Sequence, residues 1–367
     1  MHIPLFRPII REEAIEAASE VLRSGWLGLG PETTLFENEF ARYIGIPFCV
    51  GLNSCTSALH LGLRILNLAP GSEVITTPIT FVSTNHVILY ENCIPVFADI
   101  QPYTGNLDVN SVSERITERT KAIMLVHYGG YPCDLDELYA LARVHNLSII
   151  EDCAHACGAT YKGQRIGSHG DIHAFSFHAV KNLPMGDGGA LTIRSEEYNE
   201  RLRKLRWLGI NSDTFQRTGR QGYRWEYDVT EVGFKYNMND LQAAIGRAQL
   251  PYLDQDNARR VEIATQYREQ LLNVPGIQLL KYEKDRTSSY HLSCILAEER
   301  DALVEKLRAH HVDVGVHYLR NDKYRMYQEQ ELPHTEYFWR HVISLPMHLS
   351  LTDEQISYVT GVIKAGW

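Results

Sequence analysis

Short apolar runs recur through the first ~250 residues, each followed by a segment of helical period, and that alternation restricts the chain to a sheet wrapped by helices. The runs EVITT (73–77), PVFADI (95–100), AIMLVH (122–127), LSIIED (147–152), IHAFSFH (172–178) and ALTI (190–193) read as strands. Residues 57–66, 82–91, 135–145 and 196–208 read as the helices between them, and Pro70-Gly71, Gly129-Gly130 and the Gly186–Gly189 turn punctuate the joints. The expected class is α/β with a mostly parallel sheet. Residues 209–230 break the pattern, and a long irregular stretch inside a compact domain is usually functional. A helical stretch over 239–272, interrupted near Pro251, leads into a mixture of strands and helices. The predicted division is a large domain over 1–249 and a smaller α+β domain over 250–367.

Bulk properties exclude several classes. The net charge of −9 gives no general attraction to nucleic acid or anionic lipid, so any anionic ligand must be held by local groups. No apolar run reaches the length of a membrane span, and the start MHIPLFRPIIREEAIEAA, followed at once by an acidic helix, is not expected to be a signal peptide. Seven cysteines, an odd number lying mainly in apolar contexts, fit reduced thiols in a cytoplasmic protein. Cys153 and Cys157 have no second ligand pair, so no metal site is expected.

Three polar clusters fall where an open α/β sheet binds ligands, outside the carboxyl ends of its strands. Glu151-Asp152-Cys153-Ala154-His155 follows one strand, His178-Ala179-Val180-Lys181-Asn182 another, and Asn53-Ser54-Cys55-Thr56 opens a helix at Ser57. Taken singly these are an N-cap, a surface lysine and a serine-rich turn. Together they meet the needs of pyridoxal 5'-phosphate (PLP): a lysine for the Schiff base and a carboxylate for the pyridine nitrogen. The cofactor also needs a helix N-terminus for the phosphate and an apolar face for the ring. Lys181, Asp152 and the Ser54–Ser57 turn fill the first three places, and Gly186-Asp187-Gly188-Gly189 permits close backbone approach behind the lysine.

At these residues the chain resembles the nucleotide-sugar aminotransferases of the DegT group. The resemblance spans nearly the whole chain, through SGWLGLGPETTLFENEF (24–40), SCTSALHLGL (54–63), ITTPITFVSTNHVILYENCIPVFADI (75–100), VHYGGYPCDLDEL (126–138), EDCAHACGATYKGQRIGSHGD (151–171), FSFHAVKNLPMGDGGALT (175–192) and GFKYNMNDLQAAIGRAQL (233–250). It implies a PLP-dependent transferase of fold type I. Lys181 would be the Schiff-base lysine and proton shuttle, and Asp152 the partner of the pyridinium nitrogen. His155 would lie near the cofactor's 3-hydroxyl and Phe81 would stack on the ring. Thr56, Ser57 and Ser176, with Cys55 in the same turn, would bind the phosphate. Lys235 would reach that phosphate from the other subunit of a homodimer with shared active sites.

Three positions depart from the group's pattern: Cys55 stands where many members have Gly, His155 where many have Gln, and Lys235 where many have Asn. None removes an essential group, and Lys181 is present where a related set of dehydratases carries histidine. The implied reaction takes an amino group from L-glutamate to a keto carbon of a nucleotide-linked deoxyketosugar, in the deoxyaminosugar chemistry that supplies, for example, lipopolysaccharide O-antigen. The stretch FSFHAVKNLPMGDGG is closer to enzymes that aminate C4 than to those that aminate C3. The alternatives are another PLP enzyme, such as a lyase or desulfurase, or a non-catalytic regulator that binds PLP or a sugar nucleotide. Arg201, Arg203, Lys204 and Arg206 are expected to form a solvated helix face, His127 is read as structural as readily as functional, and His317-Tyr318 is expected near the sugar nucleotide.

Overall fold

The computed structural model describes residues 2–211, 218–219, 222–223 and 226–367. Its main sheet has seven strands: β1 (Phe48–Leu52), β2 (Glu73–Thr76), β3 (Ile94–Phe97), β4 (Thr120–Val126), β5 (Ser148–Asp152), β6 (Ile172–Ser176) and β7 (Gly189–Ile193). Their order across the sheet is β1-β7-β6-β5-β4-β2-β3. From β6 to β3 every pairing is parallel, whereas β7 runs antiparallel to both of its neighbours. Successive residues of a strand point to opposite faces. Accordingly Ile75, Ile123 and Ile149 enter one core with Phe36, Phe40 and Phe177, while Val74, Met124 and Ile150 enter a second with Leu59, Leu63 and Val87.

The sequence left β1 out. FCVGL is short, follows Pro47 and contains Gly51, so it lacks a strand's usual enrichment. The glycine has a packing reason: a Cβ there would lie 3.2 Å from the Met238 sulfur and 3.4 Å from Glu37 Oε1, the carboxylate oxygen that accepts the Gly51 N–H at 2.8 Å. The basic stretch is also corrected. Arg203 and Arg206 both pair with the buried Glu37, and Arg201 pairs with Glu231, so most of that helix face is held in ion pairs rather than solvated. The cause is Glu37 itself, a buried carboxylate that requires compensating cations.

The stretch 239–272 forms helices Asp240–Gln249 and Leu253–Leu271, joined by a 3₁₀ turn at Leu250–Tyr252. Pro251, which has no N–H to donate, lies in that turn. Much of the irregular stretch 209–230 lies outside the described residues; at its ends Ile210 bridges Val229. Beyond it, β8 (Ile277–Leu279), β9 (Ser293–Ala297) and β10 (Val342–Leu345) make a second, antiparallel sheet in the order β8-β9-β10. The core of this sheet takes in Ile263, Leu307, Ile356 and, from the other end of the chain, Ile3, which bridges Val312. All seven cysteines are free thiols, and only Cys55 is less than fully buried. Among the described residues no helix is long and apolar enough to cross a membrane.

Candidate active site

Asp152 and Ser176 are the last residues of the neighbouring strands β5 and β6. Ser54 caps the helix Cys55–Arg64 that follows β1, its hydroxyl accepting the Ser57 N–H at 3.1 Å. β7 brings that helix N-terminus to the strand ends by close contact. A Cβ on Gly189 would fall 2.3 Å from the Ser54 carbonyl carbon and 2.5 Å from the Cys55 nitrogen, so only glycine fits. Lys181 lies in the loop between β6 and β7.

These elements surround a cavity of about 400 Å³. Of the residues expected from sequence, Cys55, Thr56, Phe81, Asp152, His155, Ser176 and Lys181 all line it. Ser57 does not: its hydroxyl donates to Asn53 Oδ1 at 2.6 Å, holding the turn from behind. Lys235 lies outside the cavity of its own chain, its ammonium 3.3 Å from the centre of the Trp207 ring and 2.9 Å from Asn237 Oδ1. Phe81 stands at the cavity wall with 59% of its surface exposed, 6.2 Å from the Tyr318 ring.

Asp152 accepts from the Thr84 hydroxyl at 2.8 Å and the Ala154 N–H at 3.0 Å, and the Cys55 thiol lies 4.0 Å away. Burial pushes its carboxyl up from the usual carboxylate range, against the pull of those two donors and of Lys181. Lys181 is lowered to about 8, chiefly by burial, with Cys55 and Asp152 opposing. Its Nζ lies 3.3 Å from His291 Nε2. His155 is held neutral by burial, with Lys181 and His317 acting in the same direction. Its Nδ1 accepts the Gly129 N–H at 3.3 Å, which places the ring proton on Nε2, 3.0 Å from the Tyr318 hydroxyl.

Sequence reasoning overlooked Thr84 and His291. Each carries an ordinary local context, and only the fold brings them to Asp152 and Lys181. His317-Tyr318, expected near the substrate, does line the cavity. His127 is tied into the sheet: its Nε2 faces Glu151 at 2.9 Å and its Nδ1 accepts the Cys133 N–H at 3.1 Å. Cys153 completes a buried trio with His127 and Glu151. Glu151 also accepts from the Tyr139 hydroxyl at 2.6 Å, and its pKa is held down at about 2 against burial, the largest opposing cause, by His173 and His127. The trio's hydrogen bonds are satisfied internally, which fits a structural role.

The family described as DegT/DnrJ/EryC1/StrS aminotransferases matches residues 8–364. The chain belongs to that family. It is an aminotransferase, and its large sheet is that of the PLP-dependent fold type I. The chain is 38% identical to the spore coat polysaccharide biosynthesis protein SpsC of Bacillus subtilis, over 99% of this chain and 96% of SpsC. It superposes on the sugar aminotransferase CalS13 of Micromonospora echinospora with a TM-score of 0.92 at 32% identity, covering all of both chains. Spr1654 of Streptococcus pneumoniae, solved in a PLP form, gives a TM-score of 0.92 at 31% identity over 100% of this chain and 98% of that one.

The cavity of this DegT-family chain fits the cofactor by its own chemistry. Asp152 is a buried carboxylate with hydrogen-bond donors and no ion pair among the described residues, the environment that a pyridinium nitrogen would complete. Across the same cavity lie a lysine of reduced proton affinity and, at Cys55 and Thr56, the first turn of a helix able to receive a phosphate.

Proposed function

We propose that this chain is a PLP-dependent transaminase that carries the amino group of L-glutamate to a keto carbon of a nucleotide-linked deoxyketosugar, at C4 in preference to C3. The observation that carries this reading is the pairing of Lys181 and Asp152 across one cavity. The sugar class is supported by the likeness to CalS13 and SpsC, and the cofactor by the PLP form of Spr1654. The product would enter polysaccharide building, as in an O-antigen.

When bound, PLP supplies an electron sink for the carbanion formed on the substrate. Asp152 would keep the pyridine nitrogen protonated. Cys55 and Thr56 would meet the phosphate with Ser176, while Ser57 keeps the turn in shape from behind. Phe81 would cover one face of the ring, and His155 would sit at the 3-hydroxyl with its orientation set by Gly129 and Tyr318. Lys181, lowered to about 8 by burial, would have enough free base near neutral pH to take a proton from the substrate carbon and hand it to the carbon on the other side of the transferred nitrogen. Lys235, outside its own cavity, would serve the partner subunit of a homodimer. The division into 1–249 and 250–367 and a cytoplasmic location belong to the same proposal, the latter supported by the seven free thiols.

The first test is chemical. Borohydride reduction of the PLP-loaded protein followed by peptide mapping should tag Lys181. A tag elsewhere, or none, sinks the reading. The aminated enzyme should then be mixed with dTDP-, UDP- and GDP-linked 3-keto and 4-keto sugars, with the absorbance followed in each case. A response to a 4-ketosugar fixes the substrate class, whereas binding with no turnover of any ketosugar would favour the regulator.

A further inference from the structure

His291 lies in the segment leading into β9 of the smaller sheet, yet its ring reaches the lysine that follows β6 of the large one. Its Nε2 is 3.3 Å from Lys181 Nζ, the one hydrogen-bond partner of that amine among the described residues. Asp152 and Cys55, the other titratable groups acting on Lys181, influence it electrostatically without a hydrogen bond.

The ring is tightly held. It stacks on Phe6 with centroids 5.6 Å apart and planes 5° from parallel, and its other neighbour is the His155 ring at 4.5 Å. The backbone around it is stitched to the catalytic side of the molecule. Ser289 N and Leu292 N donate to the Gly130 and Gly129 carbonyls, each at 3.1 Å. Ser289 Oγ donates to the His155 carbonyl at 2.6 Å, and the amide of Asn182, next to Lys181, donates to the Ser289 carbonyl at 2.8 Å. Gly130 makes this approach possible, since a Cβ there would fall 2.3 Å from Ser289 Oγ and 2.7 Å from the His155 carbonyl oxygen. Burial is the main cause that keeps His291 neutral, and Lys181, His155, Arg260 and His317 act in the same direction. Its Nδ1 is buried without a partner, which leaves the ring anchored by packing and by Lys181.

We propose that His291 is a positioning residue for Lys181: its neutral imidazole accepts a hydrogen bond from the amine whenever the lysine is not covalently engaged, and so aims the nitrogen at the substrate carbon. This rests on the proposed function. In the proton-transfer step the amine takes one proton from carbon and becomes an ammonium, and one of its N–H groups donates to His291 Nε2. The same proton then leaves for the accepting carbon. His291 stays neutral throughout, and no proton passes through it.

The test begins on cofactor-free protein, where Lys181 can be read without the reaction. His291→Phe keeps a ring on Phe6 and removes the acceptor. Loss of one hydrogen bond to a charged group should raise the rate of Lys181 labelling by an amine-directed reagent about tenfold below its pKa. The two proteins should converge at pH values well above about 8, where the amine is free in both. His291→Gln, which offers an acceptor again, should restore part of the wild-type pH profile. In the loaded enzyme His291→Phe should lower kcat for the donor half-reaction and leave KM for the donor nearly unchanged.

A His291→Phe protein that melts and binds PLP like wild type, yet shows the wild-type labelling profile, overturns the proposal. A wild-type protein that borohydride does not tag at Lys181 overturns the enzymatic reading instead, and the labelling comparison still reports on the contact. If His291→Phe does not fold, the Gln variant and an Asn variant, whose shorter amide cannot reach the lysine, provide the same comparison. Equal profiles for those two would equally count against the contact.

Discussion

Asp152 ends β5 with two hydrogen-bond donors and no ion pair among the described residues, and this sets what its replacement should do. Asp152→Asn preserves shape and removes the charge, so the ring nitrogen would lose the partner that keeps it protonated. PLP should still bind through Lys181 and the helix N-terminus. The glutamate half-reaction, read by single-turnover absorbance, should slow on the order of a hundredfold, the usual weight of a preorganised electrostatic contact. A wild-type rate in a variant that retains the cofactor would mark Asp152 as a cap for the following turn. At this scale most of the cavity wall was legible in the sequence, because Cys55, Asp152, Ser176 and Lys181 follow strands or open a helix, where local pattern and ligand position coincide. Ser57 was legible as a turn residue, but its direction away from the cavity depends on Asn53. His291 was not legible at all, since its contact with Lys181 spans 110 positions in sequence and leaves no periodic trace.

Two helices are started by aspartates from distant parts of the chain. Asp240 accepts the Gly30 and Thr33 N–H groups at 2.9 and 3.0 Å, at the start of the helix Pro31–Ile44. Asp99, just past β3, accepts the His334 and Thr335 N–H groups at 3.0 and 2.7 Å, at the start of the helix Pro333–His341. Neither helix carries a side-chain cap from its own N-cap residue, so the first-turn donors depend on these remote carboxylates. Asp99→Ala should therefore cost up to about 2 kcal/mol, at the upper end for a lost cap because the site is buried. Urea unfolding should show a lower midpoint at an unchanged slope, and an unaltered midpoint would show that water replaces the carboxylate at no cost. Remote capping also limits what sequence reveals of element ends. The stretch 135–145 was read to the residue, being an amphipathic run closed by Asn146 in the left-handed conformation. β1 escaped because its support comes from Glu37 and from β7 rather than from its own composition.

At the scale of the molecule, six buried or half-buried histidines among the described residues resist protonation. Burial is the main cause in each: His317 and His348 are lowered to about 4, and His60, His155, His173 and His291 also lie below the ordinary value. The unfolded chain takes up protons on these rings below pH ~6.5, whereas the native state does not. Stability should therefore be complete above that value and fall as the pH drops toward 4, each ring adding a slope of up to ~1.4 kcal/mol per pH unit. Urea midpoints of cofactor-free protein at pH ~7.5 and ~5 measure this, and equal midpoints would mean that the rings titrate normally in the fold. The assembly has its own test. Lys181→Ala and Lys235→Ala proteins, each weak alone, should regain one intact site when their subunits exchange, and proven exchange without recovery would exclude a shared site. The order in which the fold can close has a consequence for synthesis. Phe48 pairs with Ile193, and Ile3 with Val312, so early residues wait for late ones. At about 5–20 residues per second β1 stays unpaired for roughly seven to thirty seconds. Phe6, which walls the cavity and backs His291, waits longer still, for the segment that seats its neighbour Ile3. A nascent chain thus displays Lys181 and Asp152 before Phe6 and His291 can close the pocket, so a cofactor would be captured only once the segment around Val312 has been made.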